Sequence, residues 1–356
     1  MSRYLNDKYL SLEEYTPGEQ PRDMKYVKLN TNESPFPPSQ SVIDAINAER
    51  VSELKLYPDP DCAELRTAIS ELFGYEKENV FVSNGSDDIL NFSFMAFCGE
   101  GAHSVVFPEI SYGFYKVYAD LYGVDYTRIP LCEDFSINPE DYIGIGKNIV
   151  IANPNAPTGL ALPLDTIEKI VASNPDNMVL IDEAYVDFGA ESAVGLVRKY
   201  DNLIVVRTFS KSYSLAGARL GFAIASKGLI ADLNKIKYST NPYNINRLSM
   251  IAGIRAIKDN GYYMDNCKRI ARTRERVTAQ LRAMGFEVLD SSANFIFARS
   301  ADIDGESLYL ELKNRGVLIR HFTTERIKDF NRITIGTDAE MDIFLCKVKE
   351  ILGKEI

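Results

Sequence analysis

Lys211 lies between two serines directly after an apolar run, in the segment VVRTFSKSYSLAGARLGF, and Arg219 follows eight residues later. A lysine amine can form a Schiff base with an aldehyde when its surroundings favour the neutral amine. An arginine can bind a phosphate through two parallel hydrogen bonds. The chemistry of this segment therefore depends on which other groups the fold brings beside Lys211.

Short apolar runs, rich in β-branched residues, recur through the middle of the chain. They do not alternate with polar residues, which is typical of strands buried on both faces in a mostly parallel sheet. Helical patterns such as DDILNFSFMAF and PLDTIEKIVAS separate them, so the sequence predicts an α/β architecture. The predicted strands are residues 80–82, 104–107, 148–152, 178–181, 203–206 and 221–225.

Segments rich in functional groups follow five of these runs. They read SNGSDD, PEISYGFY, NPNAPTG, DEAY and RTFSKS. Open α/β sheets bind ligands at the carboxyl ends of their strands. We therefore expect these five segments to converge on one site.

One end of the expected ligand is a phosphate. The turn formed by Gly85, Ser86 and Asp87 opens a predicted helix, and the free N–H groups and dipole of a helix start suit an anion. The hydroxyl of Ser210 and the guanidinium of Arg219 would add hydrogen-bond donors.

The other end is an aromatic ring that carries an aldehyde. Asp182 ends a buried run, where a carboxylate is costly unless it meets a cation such as a pyridinium nitrogen. Tyr112 offers a face for stacking, and Asn155 and Tyr185 offer hydrogen bonds to a ring oxygen. With the amine of Lys211, these groups together describe a site for pyridoxal 5′-phosphate.

These motifs resemble those of the fold-type I pyridoxal-phosphate-dependent aminotransferases of class I and II, and among them the chain is similar to the histidinol-phosphate aminotransferase family. The matching stretches run along most of the chain, and the most specific are KLNTNESPFPPS, NPNAPTG, LIDEAYVDF and RTFSKSYSLAGARLGF. The resemblance implies a large domain with a mostly parallel seven-stranded sheet between helices, and a smaller α+β domain.

The resemblance also implies a role for each site residue. Lys211 would form the Schiff base and move the proton, Asp182 would pair with the ring nitrogen, and Tyr112 would stack on the ring. The residues that would bind the cofactor are Tyr57, Gly85, Ser86, Asp87, Tyr112, Asn155, Asp182, Tyr185, Ser210, Lys211 and Arg219.

Substrate binding is implied for three further residues. Arg332, in the run RITI, and Arg320, after VLI, would bind the substrate's anionic group, and Tyr15 would close over the substrate. Tyr57 would reach the cofactor of the neighbouring subunit, which implies a homodimer with shared active sites. The implied reaction is a ping-pong transfer between glutamate or 2-oxoglutarate and histidinol phosphate or its keto counterpart.

Changes in composition and in hydrophobic pattern along the chain suggest three parts. Residues 1–40 are Pro-rich and read as an arm that packs on the small domain or on a partner, residues 41–245 as the large cofactor-binding domain, and residues 246–356 as the small domain. The small domain is expected to begin with one long polar helix over residues 246–284. Its last helix begins with a capping box formed by Thr337 and Glu340.

Composition excludes several classes of protein. The net charge of −10, without a basic tract, argues against nucleic-acid or membrane partners. Five scattered cysteines and two histidines indicate neither a disulfide framework nor a metal site. The first residues lack the apolar core of a signal peptide, so we expect a cytoplasmic protein with reduced thiols.

Three alternative functions are considered. An aromatic amino acid aminotransferase would share every motif quoted above. A threonine-phosphate decarboxylase would share the cofactor site, but relatives of that kind carry an HGG motif and an N-x-N-P-L-G arm, whereas this chain reads LNTNESPFP. A cofactor-binding transcription regulator would need an additional helix-turn-helix domain, for which the N-terminal 40 residues leave no room.

Overall fold

A computed structural model describes residues 12–13 and 15–354 of the chain. The first eleven residues of the predicted arm, and Glu14, therefore lie outside the described residues. Among the described helices, none combines the length and the apolar character needed to cross a bilayer.

A seven-stranded sheet forms the centre of the fold. Six of its strands run parallel to one another, and β8 runs antiparallel to both of its neighbours in the order β2-β8-β7-β6-β5-β3-β4. The strands are β2 (Val80–Ser83), β3 (Val105–Pro108), β4 (Tyr126–Ile129), β5 (Asn148–Ala152), β6 (Val179–Asp182), β7 (Leu203–Thr208) and β8 (Gly221–Ala225). The predicted α/β class with a mostly parallel seven-stranded sheet is therefore confirmed.

Helices cover both faces of this sheet, which explains the unbroken apolar runs. Successive side chains of a strand point to opposite faces. One face packs against α3 (Ala63–Phe73), α6 (Leu164–Ala172) and α8 (Arg247–Lys258). The other packs against α4 (Ser86–Phe97), α5 (Phe114–Tyr122) and α7 (Lys227–Thr240). Two short helices, α1 (Gln40–Ala45) and α2 (Ala48–Ser52), precede α3.

The C-terminal part forms a second core. Its four-stranded antiparallel sheet has the order β12-β13-β10-β9, and a separate parallel pair joins β1 to β11. The strands are β1 (Val27–Lys28), β9 (Phe286–Val288), β10 (Phe295–Ser300), β11 (Val317–Leu318), β12 (Arg320–His321) and β13 (Asn331–Thr334). The helices are α9 (Asn260–Ala283), α10 (Gly305–Asn314) and α11 (Asp338–Leu352), and α11 begins with the predicted capping box of Thr337 and Glu340.

Two expectations about individual elements were wrong. The single helix over residues 246–284 is two helices, α8 and α9, which meet at Asp259. The sequence there reads Asp-Asn-Gly, a turn-forming combination, and the Asp259 carboxylate accepts a hydrogen bond from Ser41. The pattern also failed to predict β4, because this edge strand has no fully buried residue.

The N-terminal segment is built into the C-terminal part. β1 pairs with β11, and the N–H of Thr334 donates to the carbonyl of Leu29 at 2.9 Å. α8, in contrast, packs with α3 beneath the central sheet. The division at residues 40 and 245 stays a prediction.

Candidate active site

A cavity of about 590 Å³ lies at the carboxyl ends of the parallel strands, between the central sheet and the C-terminal part. Predicted side chains from four of the five segments meet there, and the fifth segment, NPNAPTG, contributes Ala156 and Pro157 to the lining. The predicted residues that line it are Tyr15, Ser86, Asp87, Tyr112, Asp182, Tyr185, Ser210, Lys211, Arg219, Arg320 and Arg332.

Lys211 enters the cavity from the loop after β7. The N–H of Ser210 donates to Thr208 Oγ1 at 3.1 Å, which turns the chain where the strand ends. Lys211 Nζ donates to the carbonyl of Thr31 at 3.1 Å. The amine therefore lies at the cavity wall with a neutral oxygen as its partner.

Asp182, the last residue of β6, is a buried carboxylate that faces the cavity. Its Oδ2 accepts from Tyr115 Oη at 2.9 Å and its Oδ1 from the N–H of Ala184 at 3.1 Å. Burial raises the pKa of the Asp182 carboxyl to about 6, and these two hydrogen bonds oppose the rise. A cation brought beside Asp182 would lower this pKa again. Sequence reasoning missed Tyr115, which reads as an ordinary core position of an apolar helix.

The phosphate-type end of the cavity surrounds the start of α4. Arg219 Nη2 lies 2.9 Å from Asp87 Oδ2, and Arg219 Nη1 lies 3.5 Å from Ser210 Oγ. Tyr112 Oη donates to Asp87 Oδ1 at 2.8 Å. The N-cap residue of α4 is Gly85, which has no side chain to cap the helix, so the first N–H groups of α4 are available to an anion.

Gly85 lies behind this end of the cavity and does not line it. It has φ +84°, and a Cβ there would come within 2.8 Å of Arg219 Nη2. Gly221, at the start of β8, allows the same close approach from the other side, since a Cβ would lie 2.4 Å from the N of Ser86. Sequence reasoning missed the role of Gly221.

Asn155 also lies behind the cavity wall. Its Oδ1 accepts from Ser111 Oγ at 2.7 Å, and its Nδ2 donates to the carbonyl of Ile110 at 2.9 Å. The amide thus holds the loop that carries Tyr112. The predicted hydrogen bond from Asn155 to a ring oxygen stays a prediction.

Tyr185 directs its hydroxyl to the centre of the site. Its Oη accepts from Asn32 Nδ2 at 3.1 Å, and its ring packs edge-on against Phe295 at 5.0 Å between centroids. Lys211 Nζ lies 5.8 Å from the Tyr185 ring centroid. Sequence reasoning did not foresee the contact between Asn32 and Tyr185.

Two arginines line the side of the cavity formed by the C-terminal part. Arg332 Nη2 donates to the carbonyl of Asn30 at 3.1 Å, and Arg332 Nε is a buried donor without a partner among the described residues. Arg320 donates to the carbonyls of Thr16 and Pro17, each at 3.2 Å. Because both guanidiniums bond to neutral carbonyls here, their charge remains available to an anion.

Tyr15 closes one side of the cavity. Its ring stacks on Phe114 at 4.3 Å and lies 6.1 Å from Tyr112. Tyr57, in contrast, is not brought to the cavity of its own chain. It is 79% exposed and stacks on Tyr243 at 4.8 Å.

A sequence model of the family described as "Aminotransferase class I and II" matches residues 24–348. The histidinol-phosphate aminotransferase of Brachyspira hyodysenteriae is 53% identical over 353 residues, which cover 99% of this chain and 99% of that protein. This chain belongs to the class I and II aminotransferase family.

Solved structures agree with that assignment. The histidinol-phosphate aminotransferase from Clostridium acetobutylicum matches with a TM-score of 0.84 and 27% identity, over 92% of this chain and 99% of that one. The enzyme of the same name from Sinorhizobium meliloti, solved in complex with pyridoxal-5′-phosphate, matches with a TM-score of 0.82 and 25% identity, over 92% and 90%. The chain is a transaminase that depends on pyridoxal phosphate, and the predicted class and cofactor are confirmed.

The geometry of the cavity fits that cofactor. Lys211 offers an amine, and Asp182 offers a buried carboxylate whose pKa is raised by burial and which a ring cation would stabilise. Arg219 and the uncapped start of α4 offer donors to a phosphate. One continuous cavity extends from the start of α4 to Asp182, so a single ligand can contact both.

Proposed function

We propose that this chain transfers the amino group between the glutamate/2-oxoglutarate pair and the pair formed by histidinol phosphate and imidazole acetol phosphate, as a step of histidine biosynthesis. The observation that carries the proposal is the name shared by relatives that are 46–53% identical over nearly the full chain.

The charge of the cavity supports a phosphate-bearing substrate. Arg320 and Arg332 present two guanidiniums on the side of the cavity formed by the C-terminal part, and both donate hydrogen bonds to backbone carbonyls. A phosphate monoester carries close to two negative charges at neutral pH, and guanidinium groups bind such anions in a bidentate manner. The same arginines suit the side-chain carboxylate of glutamate, so one site can serve both substrates in turn.

We further propose the roles of the residues around the cofactor. When bound, the cofactor supplies an electron sink for the negative charge that develops at the substrate Cα. Asp182 would hold a proton on the ring nitrogen, Tyr112 would stack on the ring, and Ser210 and Arg219 would bind the phosphate. Tyr185 donates its hydroxyl hydrogen to the ring oxygen.

We propose that Lys211 carries the proton during the transfer. Its Nζ lies at the cavity wall, where it can remove a proton from the substrate Cα and deliver it to the reacting carbon of the cofactor. Tyr15 packs on Phe114 above this space and helps to exclude water.

We propose that the protein works as a cytoplasmic homodimer. The segment around residues 43–57 exposes several large apolar side chains, which is typical of a surface that another chain covers. These are Ile43, Ile46, Val51, Leu54, Leu56 and Tyr57. In the dimer Tyr57 would reach the cofactor phosphate in the partner's site.

A visible-absorbance titration of the purified, cofactor-loaded protein tests the function. Glutamate should remove the absorbance band of the lysine-bound cofactor, and 2-oxoglutarate should restore it. Histidinol phosphate should remove the band at concentrations at least about tenfold lower than L-phenylalanine, because a bound phosphate contributes more than the about 1.4 kcal/mol that a tenfold difference requires.

Other results would point elsewhere. Phenylalanine acting at equal or lower concentration would indicate an aromatic amino acid aminotransferase. Release of CO₂ from O-phosphothreonine would indicate a decarboxylase. A wild-type protein that shows no absorbance band of the lysine-bound cofactor after incubation with pyridoxal phosphate would overturn the assignment.

A further inference from the structure

The segment of residues 30–32 hydrogen-bonds to three groups of the proposed site. The carbonyl of its first residue accepts from Arg332 Nη2, and the carbonyl of its second residue accepts from Lys211 Nζ, each at 3.1 Å. The side-chain amide of its third residue, Asn32, donates to Tyr185 Oη at 3.1 Å. Of these three contacts, only that of Asn32 depends on the identity of a side chain in the segment.

Asn32 is held more firmly than a loop residue normally is. It is 1% exposed, and its φ of +55° is a conformation that asparagine tolerates better than most residues. Its N–H donates to Thr334 Oγ1 at 3.0 Å, and its carbonyl accepts from Asn294 Nδ2 at 3.1 Å. The backbone of Asn32 is thus attached to the C-terminal part at two points.

The hydroxyl of Thr334 also determines which way the Asn32 amide points. This hydroxyl accepts from the Asn32 N–H, so its own hydrogen is free to be donated, and Asn32 Oδ1 receives it at 2.9 Å. A flipped amide would direct N–H toward this same oxygen and leave the threonine hydrogen without that acceptor. The network therefore places the Nδ2 of Asn32, a donor, against Tyr185 Oη.

We propose that Asn32 is a positioning residue that directs the hydroxyl hydrogen of Tyr185 toward the ring oxygen of the cofactor. By donating to Tyr185 Oη, the amide occupies the acceptor side of the hydroxyl and leaves its hydrogen for the cavity. The inference rests on the proposed role of Tyr185 in a transaminase site.

This arrangement has a measurable consequence. A hydrogen bond from Tyr185 stabilises negative charge on the ring oxygen, so the proton on the neighbouring Lys211 nitrogen is held less tightly. The visible absorbance of the loaded enzyme reports that proton. Loss of the Asn32 amide should therefore move the midpoint of the absorbance–pH curve upward.

The first test compares Asn32→Gly with Asn30→Gly in the loaded enzyme without substrate. Glycine accepts the positive φ at position 32 at no steric cost. We expect the absorbance midpoint to rise by about half a pH unit in Asn32→Gly, as the loss of one oriented hydrogen bond implies. Asn30→Gly removes the same side chain two residues earlier, where it bonds to the carbonyl of Glu19, and should leave the midpoint in place.

A double-mutant cycle separates positioning from general support of the fold. In a Tyr185→Phe background, Asn32→Gly should cause no further shift of the midpoint, because the hydroxyl that it orients is gone. An equal shift of the absorbance midpoint with and without the Tyr185 hydroxyl, or no shift in the variant that retains Tyr185, would overturn the inference. The melting temperatures of the cofactor-free proteins, measured in parallel, report structural loss separately from the midpoint.

A second variant covers the case in which Asn32→Gly fails to fold. Asn32→Asp keeps the shape of the side chain, but its carboxylate can only accept and would draw the Tyr185 hydrogen away from the cofactor. The midpoint should then rise more beside Tyr185 than in the Tyr185→Phe background, and equal shifts would contradict the inference. An absent band in the wild-type protein would instead overturn the proposed function itself.

Discussion

At the scale of single residues, the surroundings of Asp182 determine how its carboxylate behaves with and without a cation. Burial raises the pKa of Asp182 to about 6 from an ordinary value of 3.8. The protein without cofactor therefore holds a carboxylate where ionisation is unfavourable, and a ring nitrogen that carries a proton would relieve that cost. The Asp182 carboxylate thus lowers the stability of the cofactor-free protein but favours the binding of a cationic ring.

Asp182→Asn should consequently stabilise the cofactor-free protein and inactivate the loaded one. Because the folded pKa lies above the unfolded one, this carboxyl destabilises the fold increasingly as pH rises from about 4 to about 6. The difference in unfolding free energy should be near zero below pH 4 and reach at most about 3 kcal/mol above pH 6. Transaminase activity should fall on the order of 10²-fold or more.

Chemical denaturation of both cofactor-free proteins at several pH values checks the stability difference. The Tyr115 hydroxyl can turn to accept from the new amide, but its own hydrogen then loses its acceptor, and this cost keeps the gain in stability below the upper bound. A variant less stable than the wild type at pH 8 would contradict the explanation.

Arg332 gives the second residue-scale prediction. Arg332→Met keeps much of the volume but removes the charge, so kcat/KM for histidinol phosphate and for glutamate should each fall about 10- to 100-fold, the cost of a lost charged hydrogen bond. L-Alanine has no anionic side chain, and its slow half-reaction should change little. Single-turnover rates with the three amino donors would reveal the difference, and an equal loss with alanine would argue against a side-chain anion at Arg332.

At the scale of elements, the close contact between the start of β8 and the start of α4 shapes the phosphate end of the site. Gly85 and Gly221 allow this contact, because a Cβ at Gly221 would lie 2.4 Å from one backbone atom and 2.5 Å from another. Backbone cannot move aside as a flexible side chain can. The N–H groups at the start of α4 are therefore positioned by a strand that contributes no side chain to the cavity.

Gly221→Ala should separate these two elements. We expect a loss of about 1–3 kcal/mol in unfolding free energy, the usual cost of overpacking, and at least tenfold weaker cofactor binding. Gly228→Ala is the matched control, since it lies in α7 with no heavy atom within 4 Å of its new Cβ. That substitution should be neutral or stabilising by up to about 1 kcal/mol. Denaturation curves and cofactor titrations of the two variants would decide, and equal behaviour would exclude the steric explanation.

At the scale of the whole molecule, the exposed apolar side chains around residues 43–57 form a surface that we expect a partner to cover. Tyr57 is 79% exposed and does not line the cavity of its own chain, although the family resemblance implies that it reaches a cofactor site. A second copy that covers this surface would account for both observations. In the proposed homodimer, the site would be complete only with a residue of the partner.

Leu56→Glu should weaken that assembly. The leucine is 58% exposed in the described chain, and a charge buried in its place at an interface would shift the protein toward monomers and lower its activity together with its cofactor affinity. Leu310→Glu introduces the same change on α10, where the side chain is 46% exposed, and should leave the oligomeric state unchanged. Sedimentation velocity across a range of concentrations measures the outcome. A wild-type monomer with full activity would contradict the shared site.

Local chemistry was readable from the sequence because it depends on neighbouring residues. The six apolar runs became strands, since burial on both faces requires unbroken hydrophobicity, and polar residues that follow four of these runs line the cavity. Lys211, Asp182 and Arg219 were predicted in this way. β4 was not, because an edge strand needs no such run.

Only the tertiary structure decided the contacts between distant segments. Asn32 meets Thr334 at a separation of 302 residues, and Lys211 meets Thr31 at 180. Such pairs arise from the packing of whole elements, and neither hydrophobic period nor turn composition carries that information. Sequence patterns pointed to the groups for which we propose the chemistry, whereas the residues that orient those groups became visible only in the folded chain, because packing between parts that lie far apart along the chain sets their orientation.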